Sequence, residues 1–154
     1  MDESKIKGIS VIKLNQISDL KGSVLHMIKS SSPEFKNFGE CYLSEINYNF
    51  IKGWKLHSKQ TQNISVPLGI IKMVLYDNRK DSTTHKNLLE IILGRPDNYF
   101  RVTIPPGVIY SFKCLSKPNA LLVNCTDIEH DPAESFIISL NENNIPFTWD
   151  NHHN

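Results

Sequence analysis

The sequence predicts an all-β sandwich or barrel with little helix. Short apolar, β-branched runs recur along the chain, separated by turn signals at a spacing of roughly 8–12 residues. Several of these runs alternate apolar and polar side chains with the period of two that belongs to a half-buried strand. No long amphipathic helical pattern, fixed-period repeat, linker or glycine-rich phosphate loop interrupts the series.

Taken in order, residues 9–14 are apolar-rich and form a first strand. Ser18-Asp19-Leu20-Lys21-Gly22 is turn material, and residues 23–28 form a second strand, so that 9–28 extend the sheet. Ser30 to Phe35 is a loop, with Pro33 placed to open a short helical turn. Residues 41–46 alternate as a strand, and Tyr48-Asn49-Phe50 connects it to a central segment, 54–60. Residues 63–68 and 69–76 follow. The run Ile70-Ile71-Lys72-Met73-Val74-Leu75-Tyr76 is nearly all apolar and reads as a strand buried on both faces. Polar residues 77–82 turn the chain into a strand at 88–93, and Gly94-Arg95-Pro96-Asp97-Asn98 turns it again. In residues 99–104, Phe100, Val102 and Ile104 take one face while Tyr99, Arg101 and Thr103 take the other. Pro105-Pro106-Gly107 ends that strand. Two more, 108–114 and 120–125, flank the turn Ser116-Lys117-Pro118-Asn119. The remaining tail carries one apolar anchor, Pro146-Phe147-Thr148-Trp149, and residues 151–154 read as frayed.

With 154 residues the chain is expected to be one domain, 1–154, with 150–154 as tail, and is long enough to bury a core without staples. Hydrophobic residues make up 40% and charged residues 21%, the balance of an ordinary globule rather than a disordered chain. A formal net charge of +1 gives no global pull toward nucleic acid or an anionic membrane. The three cysteines, Cys41, Cys114 and Cys125, have neither disulfide-framework nor zinc spacing, which favours a reducing cytoplasm. The N-terminal residues Met1-Asp2-Glu3-Ser4-Lys5 lack an apolar signal core, and no run is long enough to cross a bilayer. His26, His85 and His130 lack ligand spacing, and no metal or other cofactor is expected.

The stretch around His57 is the chemical centre. In a strand, Trp54 and Leu56 share one face, and Lys55, His57 and Lys59 share the other. If the second face lines a cavity, an imidazole that titrates near neutrality stands in a basic pocket. If it faces solvent, the strand is merely half exposed.

Four blocks resemble a known family, the cupin-fold enzymes that epimerise nucleotide-linked 4-keto-6-deoxysugars, typified by dTDP-4-dehydrorhamnose 3,5-epimerase. They are Asp19-Leu20-Lys21-Gly22, Trp54-Lys55-Leu56-His57, residues 69–82 ending in Asp77-Asn78-Arg79-Lys80-Asp81-Ser82, and Ile104-Pro105-Pro106-Gly107 continuing to Phe112 and Leu115-Ser116. Order and spacing agree from Asp19 to Trp149. The resemblance implies a cupin-type jelly-roll sandwich, usually dimeric, whose interior holds the site.

It also implies roles. His57 matches the family base, which takes a proton from the carbon beside the sugar's ketone, where the resulting carbanion spreads onto oxygen as an enolate. An imidazole with an ordinary pKa of ~6.5 suits that task. The family tyrosine falls at Val123, and Tyr110 replaces a family histidine. The family lysine falls at Gln62 or Asn63, and the aspartate paired with the base falls near Asn141 or Glu142. The catalytic set expected is therefore His57, Tyr110 and Glu142. Lys21, Lys55 and Lys59 are expected at the diphosphate, with Glu45, Asn47, Gln62, Asn63 and Arg101 completing the substrate contacts.

The implied activity is inversion at C3 and/or C5 of the nucleotide-linked sugar, for surface-polysaccharide synthesis, by a cytoplasmic homodimer. Two alternatives stay open: a 3,4-ketoisomerase of the same substrate class, and a non-catalytic nucleotide-sugar-binding cupin.

Overall fold

A computed structural model describes residues 5–142 and 144–150. The expected disorder of residues 151–154 lies outside the described residues. Two five-stranded antiparallel sheets face each other as a jelly-roll sandwich, and the described residues contain no helix. The first sheet has the order β1 (Ser10–Lys13), β9 (Phe100–Ile104), β6 (Gln62–Leu68), β11 (Asn119–Thr126), β4 (Glu40–Asn47). The second has the order β12 (Ser135–Ile137), β5 (Ile51–His57), β10 (Val108–Cys114), β7 (Ile70–Asp77), β8 (Leu88–Gly94). A separate hairpin pairs β2 (Gln16–Asp19) with β3 (Gly22–Leu25).

Side-chain alternation decides which residues meet between the sheets. Val102 and Ile104 on β9 and Ile64 and Val66 on β6 pack against Ile71, Met73 and Leu75 on β7, all at most 2% exposed. The opposite face of β7 is also covered. Val74 and Tyr76 join Trp54, Ile109, Ile145 and Trp149 in a second cluster, with the C-terminal segment laid over the sheet. That two-sided cover is why β7 reads as an unbroken apolar run. Phe147 meets Trp149 edge-on at 4.9 Å, so the tail anchor is a cover for the second sheet.

Proline and chain reversal explain the departures from the expected elements. Pro67 cannot donate to a ladder, and β6 carries one extra residue opposite β11 there, while its pairing with β9 is confined to Gln62, Asn63 and Ile64. Pro33 opens no helix, because the bonds Ser32 N–H to Lys29 O and Phe35 N–H to Ser32 O, each 2.9 Å, close isolated turns. The expected turn at Ser18 to Gly22 is mostly hairpin. Ser18 and Asp19 belong to β2, and the Asp19 carboxylate accepts from the Lys21 and Gly22 amides to tighten a two-residue reversal. The strand expected over 54–60 ends at His57.

Candidate active site

His57 is the last residue of β5, and three chain segments hold it. The Gly107 amide donates to the His57 carbonyl at 2.8 Å. Gly107 has φ +86°, and a Cβ there would lie 2.5 Å from Arg79 Cγ, so the Arg79 side chain fits across it only because the residue is glycine. Arg79 in turn grips the buried Asp77 through Nε at 2.8 Å and Nη2 at 2.9 Å. Burial pushes the Asp77 carboxyl up, but bonds from Arg79, Thr84 and Ser82 override this and hold it well below the usual carboxylate range. Thus the Asp77–Ser82 block, the Pro-Pro-Gly turn and the His57 strand end form one support.

Glu134 completes the support from the side. His57 Nδ1 lies 2.8 Å from Glu134 Oε1, with both side chains almost fully buried. Burial raises the Glu134 carboxyl, yet bonds from the His57 ring and from the Lys59 and Gln60 amides bring it below its ordinary value. An ionised carboxylate only accepts, so Nδ1 carries a hydrogen, and in the neutral ring Nε2 then carries the lone pair. Nε2 is buried without a hydrogen-bond partner among the described residues. The ring lies beside Tyr110, with planes 16° apart and centroids 6.3 Å apart.

Tyr110 is also the inner wall of a hollow of about 290 Å³ between the sheets. Its polar lining is Tyr42, Ser44 and Asn124 from the first sheet and Lys52, Lys55 and Tyr110 from the second. Gly53 lines it too, at φ +115°, where a Cβ would strike Ser111 Cβ at 2.7 Å. Lys52 Nζ donates to Ser44 Oγ at 3.0 Å and to the Glu45 carbonyl at 2.6 Å. Partial burial and the neighbouring Lys55 push the Lys52 ammonium down, despite Glu45. Burial raises the Tyr110 phenol, with Tyr42 and Glu134 adding to the effect.

Behind the wall runs a chain of amides. Gln60 Nε2 donates to the Ile128 carbonyl at 2.7 Å, Gln62 Nε2 to Gln60 Oε1 at 2.6 Å, and Asn124 Nδ2 to Gln62 Oε1 at 2.5 Å and to the Tyr42 hydroxyl at 2.9 Å. Asn124 Oδ1 accepts from the Asn63 amide at 3.1 Å.

Residues 3–154 match the family model for dTDP-4-dehydrorhamnose 3,5-epimerase. The chain belongs to this family. Its structure superimposes on a dTDP sugar isomerase from Desulfovibrio desulfuricans G20 with a TM-score of 0.92 and 44% identity, covering 94% of this chain and 92% of that one. The spore coat polysaccharide biosynthesis protein SpsL of Bacillus subtilis (strain 168) is 27% identical over 146 residues, 94% of this chain and 96% of SpsL. The dTDP-4-dehydrorhamnose 3,5-epimerase of Bacillus anthracis, at 22% identity, shares the fold with a TM-score of 0.84 over 97% of this chain and 89% of that one. The 3,5-epimerase family is an isomerase class, as the four sequence blocks implied.

Within this epimerase-family fold the expected residues separate. His57, Tyr110 and Lys55 come together, and Gln62 stands one hydrogen bond behind the wall. The others lie elsewhere. The carboxylate on His57 is Glu134 rather than Glu142, whose Oε1 accepts from Asn144. Glu45 and Asn47 are exposed, because odd residues of β4 face outward while Tyr42 and Ser44 face in. Lys59 is exposed because the strand has already ended, and Lys21 is exposed at the tip of the β2–β3 hairpin. Asn63 bonds Thr103 at 2.8 Å, and Arg101 bonds Glu34 at 2.6 Å and the Met27 carbonyl at 2.9 Å; both side chains are on the sheet face away from the hollow. Val123 does not line the hollow, whereas its neighbour Asn124 does.

Sequence reasoning missed Tyr42, Lys52, Asn124 and Glu134. Alternation through β4 and β11 could have found Tyr42 and Asn124. Glu134 has no local signal, since it reaches His57 across 77 residues. Among the described residues no three His, Cys, Asp or Glu side chains converge as a metal site, and no helix is long and apolar enough to cross a membrane.

Proposed function

We propose that this protein inverts a stereocentre beside the 4-keto group of a nucleotide-linked 6-deoxysugar, with His57 as the general base. The observation that carries this reading is the His57–Glu134 pair, 2.8 Å apart and almost fully buried. Ionised Glu134 fixes the hydrogen on Nδ1, leaving Nε2 as a basic lone pair with no partner of its own. A buried acceptor left empty costs free energy, and a catalytic use accounts for its retention. The ketone makes the neighbouring C–H acidic, and the Nε2 lone pair abstracts it.

Lys52 and Lys55 are the diphosphate contacts in this reading. Two neighbouring ammonium groups that repel each other gain from an anion placed beside them. The volume is at the small end of the range for ligand clefts, roughly 300–1,000 Å³. His57 lies one layer behind the wall, so substrate entry requires Tyr110 to turn aside, and its hydroxyl is then free to hydrogen-bond the sugar. Glycan assembly is the setting in which the relative SpsL is named.

The β2–β3 hairpin supports a homodimer. It is a two-stranded sheet of its own, with Ile17, Leu20 and Val24 all at least 60% exposed, a state stabilised by pairing with a second copy. Three free thiols fit a cytoplasmic location.

The test is solvent-deuterium incorporation at C3 and C5 of a dTDP-4-keto-6-deoxysugar, followed by NMR. Wild type incorporates deuterium, and His57→Asn, still folded by circular dichroism, loses it by at least ~100-fold. Binding of the nucleotide-sugar with no exchange rules the reading out, and a product with its carbonyl moved to C3 replaces it with ketoisomerisation.

A further inference from the structure

Epimerisation needs two proton sites on opposite sides of one carbon. His57 and Tyr110 stand on neighbouring strands of the same sheet, so both approach from that sheet's side. The facing wall belongs to the first sheet, and its hydroxyl-bearing residues on the hollow are Tyr42 and Ser44. Ser44 Oγ already accepts from Lys52. Tyr42 is placed differently, because the amide chain behind it has a fixed direction.

That direction is set at both ends by backbone groups that have no choice of role. The Ile128 carbonyl can only accept, so Gln60 must present its NH₂ there and its oxygen to Gln62. Gln62 then presents its oxygen to Asn124. Independently, the Asn63 amide can only donate, so Asn124 must turn Oδ1 toward it and Nδ2 the other way. Both constraints give the same result: Asn124 donates to the Tyr42 oxygen. With that oxygen already accepting, the Tyr42 hydrogen points away from Asn124 and has no acceptor among the described residues. Gln60 is also tied to the His57 partner, since its backbone N–H donates to Glu134.

We propose that Tyr42 is the acid of this site, returning a proton to the face of the carbanion opposite His57. The inference rests on the epimerase reading above. His57 Nε2 takes the proton from carbon, the C–H electron pair becomes the enolate double bond, and the carbonyl pair moves to oxygen. The enolate then takes the Tyr42 hydroxyl hydrogen onto the other face of the carbon and its carbonyl reforms. This leaves an imidazolium and a phenolate, and one proton passed between them through solvent restores both. Burial keeps the Tyr42 phenol protonated at neutral pH, against the lowering effect of its bond from Asn124, and Glu40 adds to the rise. The Asn124 amide stabilises the phenolate as it forms.

The experiment follows deuterium exchange and inversion separately, with dTDP-4-keto-6-deoxyglucose as probe in D₂O. In Tyr42→Phe, His57 still removes and returns a hydrogen on its own face. Exchange should stay within about threefold of wild type while inversion falls ~100-fold or more. Asn124→Asp turns an acceptor toward the Tyr42 hydrogen and should uncouple exchange from inversion in the same direction with Tyr42 still present. His57→Asn should lose both. Inversion by Tyr42→Phe at the wild-type rate, or exchange and inversion lost in equal proportion, overturns the role of Tyr42 alone. A wild-type protein that exchanges no hydrogen with the probe overturns the epimerase reading, and the role of Tyr42 with it.

Discussion

The two ends of the sandwich are built on the same alternation and filled in opposite ways. Where β6 and β9 face β7 and β8, the inward side chains are Val66, Val102, Ile104, Met73, Leu75 and Leu93, and the space is closed. Where β4 and β11 face β5 and β10, the polar side chains Tyr42, Ser44, Asn124, Lys55 and Tyr110 point inward beside Phe112 and Leu122, and a hollow remains. The closed end gains from burying hydrocarbon. At the open end each polar group has to be satisfied by a neighbour or left for a ligand, and the amide chain meets the first demand. Rigidity comes from packing at one end and from directed hydrogen bonds at the other.

The comparison is broken most strongly at the closed end. Leu75→Ala, at a fully buried site, should cost about 3 kcal/mol of unfolding free energy in urea titrations, with kcat per folded molecule unchanged. Asp77 lies on the support that runs to His57. Because its pKa is lower folded than unfolded, its stabilisation is complete above the ordinary aspartate value of ~3.9 and is lost progressively as pH falls from there through the much lower folded value. Asp77→Asn should lower stability at pH 7 by about 2 kcal/mol and flatten the acid limb of a melting-temperature profile. At the open end Lys55→Met should raise KM about tenfold, roughly 1.4 kcal/mol, with thermal stability unchanged. The smallest effect separates the two faces of β4 and β11. Cys41 and Cys125 pair on the outward face with sulfurs 3.2 Å apart, and burial and Cys41 push the Cys125 thiol up to about 12. Peptide mapping after iodoacetamide treatment at pH 8 should therefore find Cys125 unmodified.

Period-two patterns made most of the sandwich legible, because burial on one face of a strand leaves its mark on every second residue. The blocks 77–82 and 104–107 were legible for a different reason. Arg79 against Gly107, and Gly107 against His57, demand particular residue types at particular places. The site was less legible. Glu45 and Asn47 sit one residue out of phase with Tyr42 and Ser44, and a single step in a strand exchanges inside for outside. Lys59 shared the parity of His57 but not its strand, which had already ended. Glu134 lies just before a three-residue strand in a segment with no periodicity of its own. Only tertiary pairing of β12 with β5 brings it to the ring.

The pairing of β12 with β5 also bears on how the protein is made. His57 leaves the ribosome 77 residues before the carboxylate that orients it. A nascent chain can assemble β4 to β11 and close most of both sheets while its imidazole still lacks a partner. His57 gains its orienting carboxylate only when β12 docks on the sheet edge, after every other strand of that sheet has been synthesised.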